Sequence, residues 1–128
     1  MSTVAVGNKG EASWVVEKHM LASAMGSGSV EALSTPFLVA LAEAAACRAL
    51  EGRLEAGNTS VGTALSVQHL LASPLGERVT AVAVVAGVEG RKVLFSFEAT
   101  DGAGQSIGRG THERVVLNSE RFHAKLKK

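Results

Sequence analysis

Residues 34–50 read STPFLVALAEAAACRAL. From Pro36 to Leu50 the segment is apolar almost all round, and a helix with no wet face has to be enclosed by the rest of its chain. Ser34 and Thr35 carry hydroxyls of N-cap type, Pro36 suits a first helical position because its missing N–H needs no partner there, and Gly52 supplies a stop. A helix is therefore predicted over residues 36–51. Glu43 breaks the pattern. An unpaired ionised carboxylate in such a segment is disfavoured by on the order of several kcal/mol, so its pKa should rise, which suits a base or a nucleophile. The bland reading is a carboxylate paired with a buried Arg or lying at a subunit interface.

What could enclose this helix lies on both sides of it. Upstream, residues 11–20 (EASWVVEKHM) read as a strand with Trp14 and Val16 on one face. Residues 24–33 (AMGSGSVEAL) are a flexible connection placed to act as a lid over the helix N-terminus. No Gly-Lys-Ser/Thr follows these glycines, so a phosphate loop is not indicated. Downstream, Thr59 opens a strand whose alternation puts Val61, Thr63, Leu65, Val67 and His69 on one face and Gly62, Ala64, Ser66 and Gln68 on the other, so that His69 points towards the helix. Three further strands are predicted over residues 77–88, 91–100 and 105–117, and the short turns Glu89-Gly90 and Asp101 to Gly104 favour antiparallel hairpins. The sum is an α+β domain, a curled antiparallel five-stranded sheet around one long central helix. It is expected over residues 11–123, with a flexible N-terminus (1–10) and a basic C-terminal tail (124–128).

Composition narrows the function classes. A chain of 128 residues suits one domain, and 13 Lys plus Arg against 12 Asp plus Glu (net +1) announce neither nucleic acid nor an anionic membrane. The single Cys47 excludes an internal disulfide and suits a reducing compartment, and nothing in the sequence activates it as a thiol nucleophile. There is no signal-peptide pattern and no uncharged apolar run of about 18 residues. These features read as a soluble, cytoplasmic protein. The four histidines stand in no metal-ligand spacing, so no metal is expected.

The segments STPFLVALAEAAA, TSVGTALSVQHLLASPLG, VEGRKVLFSFEATD and IGRGTHERVV, in that order, resemble the fluoroacetyl-CoA thioesterase-like family of hotdog-fold proteins across roughly residues 11–123. The His-Gly-Gly segment of phenylacetate-type thioesterases and the Asp-x-Asn-x-x-His segment of hydratases are absent. The resemblance implies hydrolysis of a short or medium acyl-CoA by a Thr/Glu/His set falling on Thr35, Glu43 and His69, with substrate contacts from Gly62 and Arg114. It implies no metal or redox cofactor, CoA being part of the substrate; the span between Gly62 and His69 on one strand leads to the expectation of a homodimer, with pairing into tetramers left open. The family's most specialised member uses lid aromatics to select fluoroacetate, whereas residues 22–34 here contain none, which points away from fluoroacetyl selectivity. The competing reading is a non-catalytic acyl-CoA binding or sensing protein.

Each residue also has a structural explanation. Thr35 could be only a cap, His69 a satisfied core histidine, His112 structural, and Arg114 the ion-pair partner of Glu113 or Glu98. Eight helical residues separate Thr35 from Glu43 by about 12 Å, and seven strand residues separate Gly62 from His69 by roughly 23 Å. The residues therefore serve different parts of the substrate or different subunits, and Gly62 of one chain is expected near Glu43 and His69 of the other.

Overall fold

The computed structural model describes residues 2–127, which form a five-stranded antiparallel sheet curled around one long helix, the hotdog arrangement. In chain order come β1 (Lys9–Val15), a 3-10 turn (Lys18–Met20), α1 (Ala22–Met25), α2 (Thr35–Leu50), β2 (Asn58–His69), β3 (Arg78–Glu89), β4 (Lys92–Thr100), β5 (Ser106–Asn118) and α3 (Ser119–Leu126). The strands lie in the order β1-β3-β4-β5-β2, each pair antiparallel. Both hairpins expected after β3 and β4 form. Gly90 turns at φ +62°, and the Asp101 carboxylate closes the second turn by accepting from Ala103 N–H (2.9 Å) and Gln105 N–H (3.0 Å).

The core is the seam between α2 and the inner face of the sheet. Leu38, Leu41, Ala42, Ala45, Ala46 and Ala49 of α2 are buried with Val79, Ala81, Ala83 and Val85 of β3 and with Phe95 and Phe97 of β4. The alanines let the strands come close. At Gly10 the approach is complete, because a Cβ there would run into the backbone of Ala45, Arg48 and Ala49.

Four features depart from the sequence reading. α2 is not enclosed all round: it lies mainly on β1 and β3, leaving Val39, Ala40, Glu43 and Ala44 half-buried and Cys47 and Arg48 exposed. Residues 3–8 are tied down rather than free, since Thr3 N–H donates to Arg53 O and Gly7 N–H to Val85 O, both at 2.8 Å, and β1 begins at Lys9. The stretch expected as a bare tail carries the end of α3, seeded by Asn118, whose side chain accepts from Arg121 N–H at 2.9 Å. The Gly-Ser segment begins inside α1, which ends at Met25, and bridges from Leu21 to Leu33 and from Ala32 to Pro74 hold the connection at its two ends.

Candidate active site

The cap of α2 is Ser34, whose Oγ accepts from Phe37 N–H at 3.3 Å, so Thr35 is the first helical residue and Pro36 the second. Relieved of capping, the Thr35 hydroxyl lies 2.9 Å from Nδ1 of His69, at the end of β2. Burial pushes the His69 pKa below its ordinary 6.5, an effect the Leu71 backbone partly offsets, and the ring is neutral at pH 7. With the hydroxyl donating to Nδ1, the ring proton sits on Nε2, which is buried with no hydrogen-bond partner among the described residues.

Glu43 lies elsewhere. It does not face His69 across the core. Its Oε2 is 3.4 Å from Arg114 Nη1 and 4.0 Å from His112 Nε2, and its side chain is 41% exposed. The expected desolvated carboxylate is therefore a paired and partly wet one, because the face of α2 that carries it meets the β5–β2 side of the sheet, which covers the helix less closely than β1 and β3 do. Arg114 is itself buried, and its remaining donors reach Ser60 Oγ (2.9 Å), Ser60 O (3.1 Å) and His112 Nε2 (3.1 Å). So employed, it holds Glu43 rather than presenting a free fork to a CoA phosphate. Nor does it pair with Glu113, which accepts from Thr63 Oγ1 (2.7 Å) and meets Lys92 (3.7 Å) instead.

His112 completes this second group. Nδ1–H donates to Ala64 O at 2.9 Å, which leaves Nε2 as the acceptor for Arg114. Burial is the main cause of its lowered pKa, and the Arg114 charge adds to it, while the Ala64 backbone, Glu43 and Glu113 oppose. In sequence alone His112 reads as structural. The available signal was its position two residues before Arg114 on one strand, which puts both on the same face.

Gly62 joins Glu43 through an irregularity that alternation could not show. The β2–β5 register shifts between Gly62 and Ala64, so Thr63 is an extra residue and Gly62 shares the inner face with Leu65, Val67 and His69. A Cβ on Gly62 would lie 2.5 Å from Glu43 Oε2 and 3.1 Å from His112 Cε1. Gly62 therefore packs against the Glu43 of its own chain. One chain thus carries two groups, Thr35 with His69 and Glu43 with Gly62, His112 and Arg114, about 12 Å apart along α2. The first has the geometry of a hydroxyl next to its base, and the second is a carboxylate oriented by a guanidinium.

A family model described as fluoroacetyl-CoA-specific thioesterase matches residues 16–120. The chain is 44% identical over 97 residues to the fluoroacetyl-CoA thioesterase of Streptantibioticus cattleyicolor, spanning 76% of this chain and 69% of that protein. Among solved structures, a variant of the fluoroacetyl-CoA thioesterase FlK in complex with acetyl-CoA superposes with a TM-score of 0.89 at 37% identity, covering 97% of each chain. A Thermus thermophilus thioesterase superfamily member superposes with a TM-score of 0.91 at 27% identity, covering 99% of this chain and 93% of that one.

Proposed function

This chain belongs to the fluoroacetyl-CoA-specific thioesterase family, and from that premise we propose that it hydrolyses a short or medium acyl-CoA to free acid and CoA. The observation that carries the residue assignment is the 2.9 Å contact between Thr35 Oγ1 and His69 Nδ1, made by a threonine whose neighbour already caps the helix. His69, neutral at pH 7, is the proton acceptor at Nδ1, and the Thr35 hydroxyl that donates to Nδ1 relays the proton to it from the attacking water. Water, or the Glu43 carboxylate through a transient anhydride, adds to that carbonyl. The C–S bond then breaks and CoA leaves as a thiolate, reprotonated from His69 in the water route and from solvent in the anhydride route, where a water activated through Thr35 and His69 then hydrolyses the anhydride to free acid and Glu43. The Thr35 amide, at the positive end of α2, would donate to the developing oxyanion. No metal or redox cofactor enters this scheme.

The working unit we propose is a homodimer in which Glu43 of one protomer completes the Thr35–His69 group of its partner. Support comes from the separation of the two groups within a chain, from the half-open face of α2, and from β2, a 12-residue strand with a neighbour on one side only. A cytoplasmic location accords with the lone Cys47. No helix among the described residues is long and apolar enough to cross a membrane.

The test is thiol release from a panel of acyl-CoAs by the wild type and by Thr35→Ala, Glu43→Ala and His69→Ala. Wild-type turnover is expected, with a loss of at least about a hundredfold, or about 2.7 kcal/mol of barrier, in Glu43→Ala and His69→Ala, and a smaller one in Thr35→Ala. Saturable binding without turnover by the wild type would replace this reading with that of an acyl-CoA binding or sensing protein.

A further inference from the structure

We propose that the groove running from the Thr35–His69 pair under the lid segment is an acyl-chain site for an unsubstituted aliphatic group longer than acetyl. This rests on the thioesterase reading, which it narrows to a substrate class. The groove measures about 320 Å³ and is walled by Val30, Leu33, Leu70, Leu71 and three alanines, with Thr35 and His69 as its polar members. At about 30 Å³ per water-sized group it has room for roughly ten such groups, far beyond an acetyl group.

Three observations make this a built site rather than a gap. The walls are pinned: Ala22 N–H donates to Ala32 O (2.9 Å), Leu33 N–H to Ser73 O (2.8 Å) and Leu70 N–H to Ile107 O (2.8 Å). Three of the chain's exposed large hydrophobics, Val30 (62%), Leu70 (48%) and Leu71 (41%), meet here from separate segments, and apolar surface gathered in this way marks a binding groove. The side chains away from Thr35 and His69 are all aliphatic, so a hydroxyl or carboxylate on the acyl chain would lose its water and find no partner. No aromatic narrows the groove, and the reacting pair lies in it, so an acyl chain whose carbonyl meets His69 extends along Leu70, Leu71 and Val30.

The experiment is kcat/KM of the full-length protein for acetyl-, butyryl-, hexanoyl-, 3-hydroxybutyryl- and succinyl-CoA. A fully buried methylene contributes up to about fourfold, so butyryl-CoA is expected to exceed acetyl-CoA by about tenfold in this open groove, and hexanoyl-CoA to exceed butyryl-CoA. The hydroxylated and carboxylated substrates are expected at least about tenfold below butyryl-CoA. Val30→Asp and Leu71→Asp, both at exposed positions, should lower the hexanoyl-to-acetyl ratio about tenfold. Val88→Asp, equally exposed but outside the groove, should leave that ratio in place. Equal or falling kcat/KM from acetyl to hexanoyl, or a ratio that Val30→Asp and Leu71→Asp do not move, would overturn the acyl-site assignment and leave the thioesterase standing. Failure to release CoA from any of the five would overturn both.

Discussion

Thr35 shows how much depends on one residue's neighbour. Two hydroxyls precede Pro36, and because Ser34 takes the cap, Thr35 is released to meet His69. His69 and His112 are both pushed below the ordinary histidine pKa, chiefly by burial, so folding disfavours their protonated forms. The unfolded chain then binds more protons than the native state as the pH falls below about 6.5. Stability should be whole above that value and should decline from there through the lower folded pKa values. Urea unfolding between pH 8 and pH 5 checks this, and a midpoint that holds or rises from pH 7 to 5.5 would contradict it. For the same reason the acidic limb of kcat/KM should lie below pH 6.5, and an apparent pKa above that would remove His69 as the base.

At the scale of elements, the strands and α2 are local products, while their irregularities are not. Strict alternation in β2 predicts Gly62 opposite His69, and the bulge at Thr63 reverses that by inserting a single residue against β5. A bulge leaves no mark in hydrophobic periodicity, because it depends on what the partner strand offers. Here Glu113 of β5 takes the Thr63 hydroxyl at 2.7 Å. α3 is hard to read in sequence because it is only eight residues long, and one apolar pair, Phe122 and Leu126, with the cap at Asn118 is all that announces it. The seam between β1 and α2 yields a sharper expectation. At Gly10 the obstruction is helix backbone, which cannot swing aside, so Gly10→Ala should destabilise the fold by at least about 2 kcal/mol. Chemical denaturation measures it, and a loss under about 0.5 kcal/mol would show that β1 can lift off the helix.

At the scale of the molecule, the two chemical groups of one chain stand apart, and a two-fold partner is the economical way to unite them. A composite site predicts complementation. When inactive His69→Ala protein is unfolded and refolded with inactive Glu43→Ala protein, half the dimers are mixed, each with one site free of both changes, so about a quarter of wild-type activity should return. No recovery in confirmed mixed dimers would place each site within one protomer. What the sequence determined by itself was the set of elements, because periodicity, caps and turn residues act over a few neighbours. It also singled out Thr35, Glu43 and His69 as candidates, through motifs that resemble a family. Only the tertiary structure decided who meets whom. The Thr35–His69 and Glu43–Arg114 contacts join residues 34 and 71 apart in sequence, and such pairings depend on strand register, on one bulge and on the face of α2 that the sheet leaves uncovered.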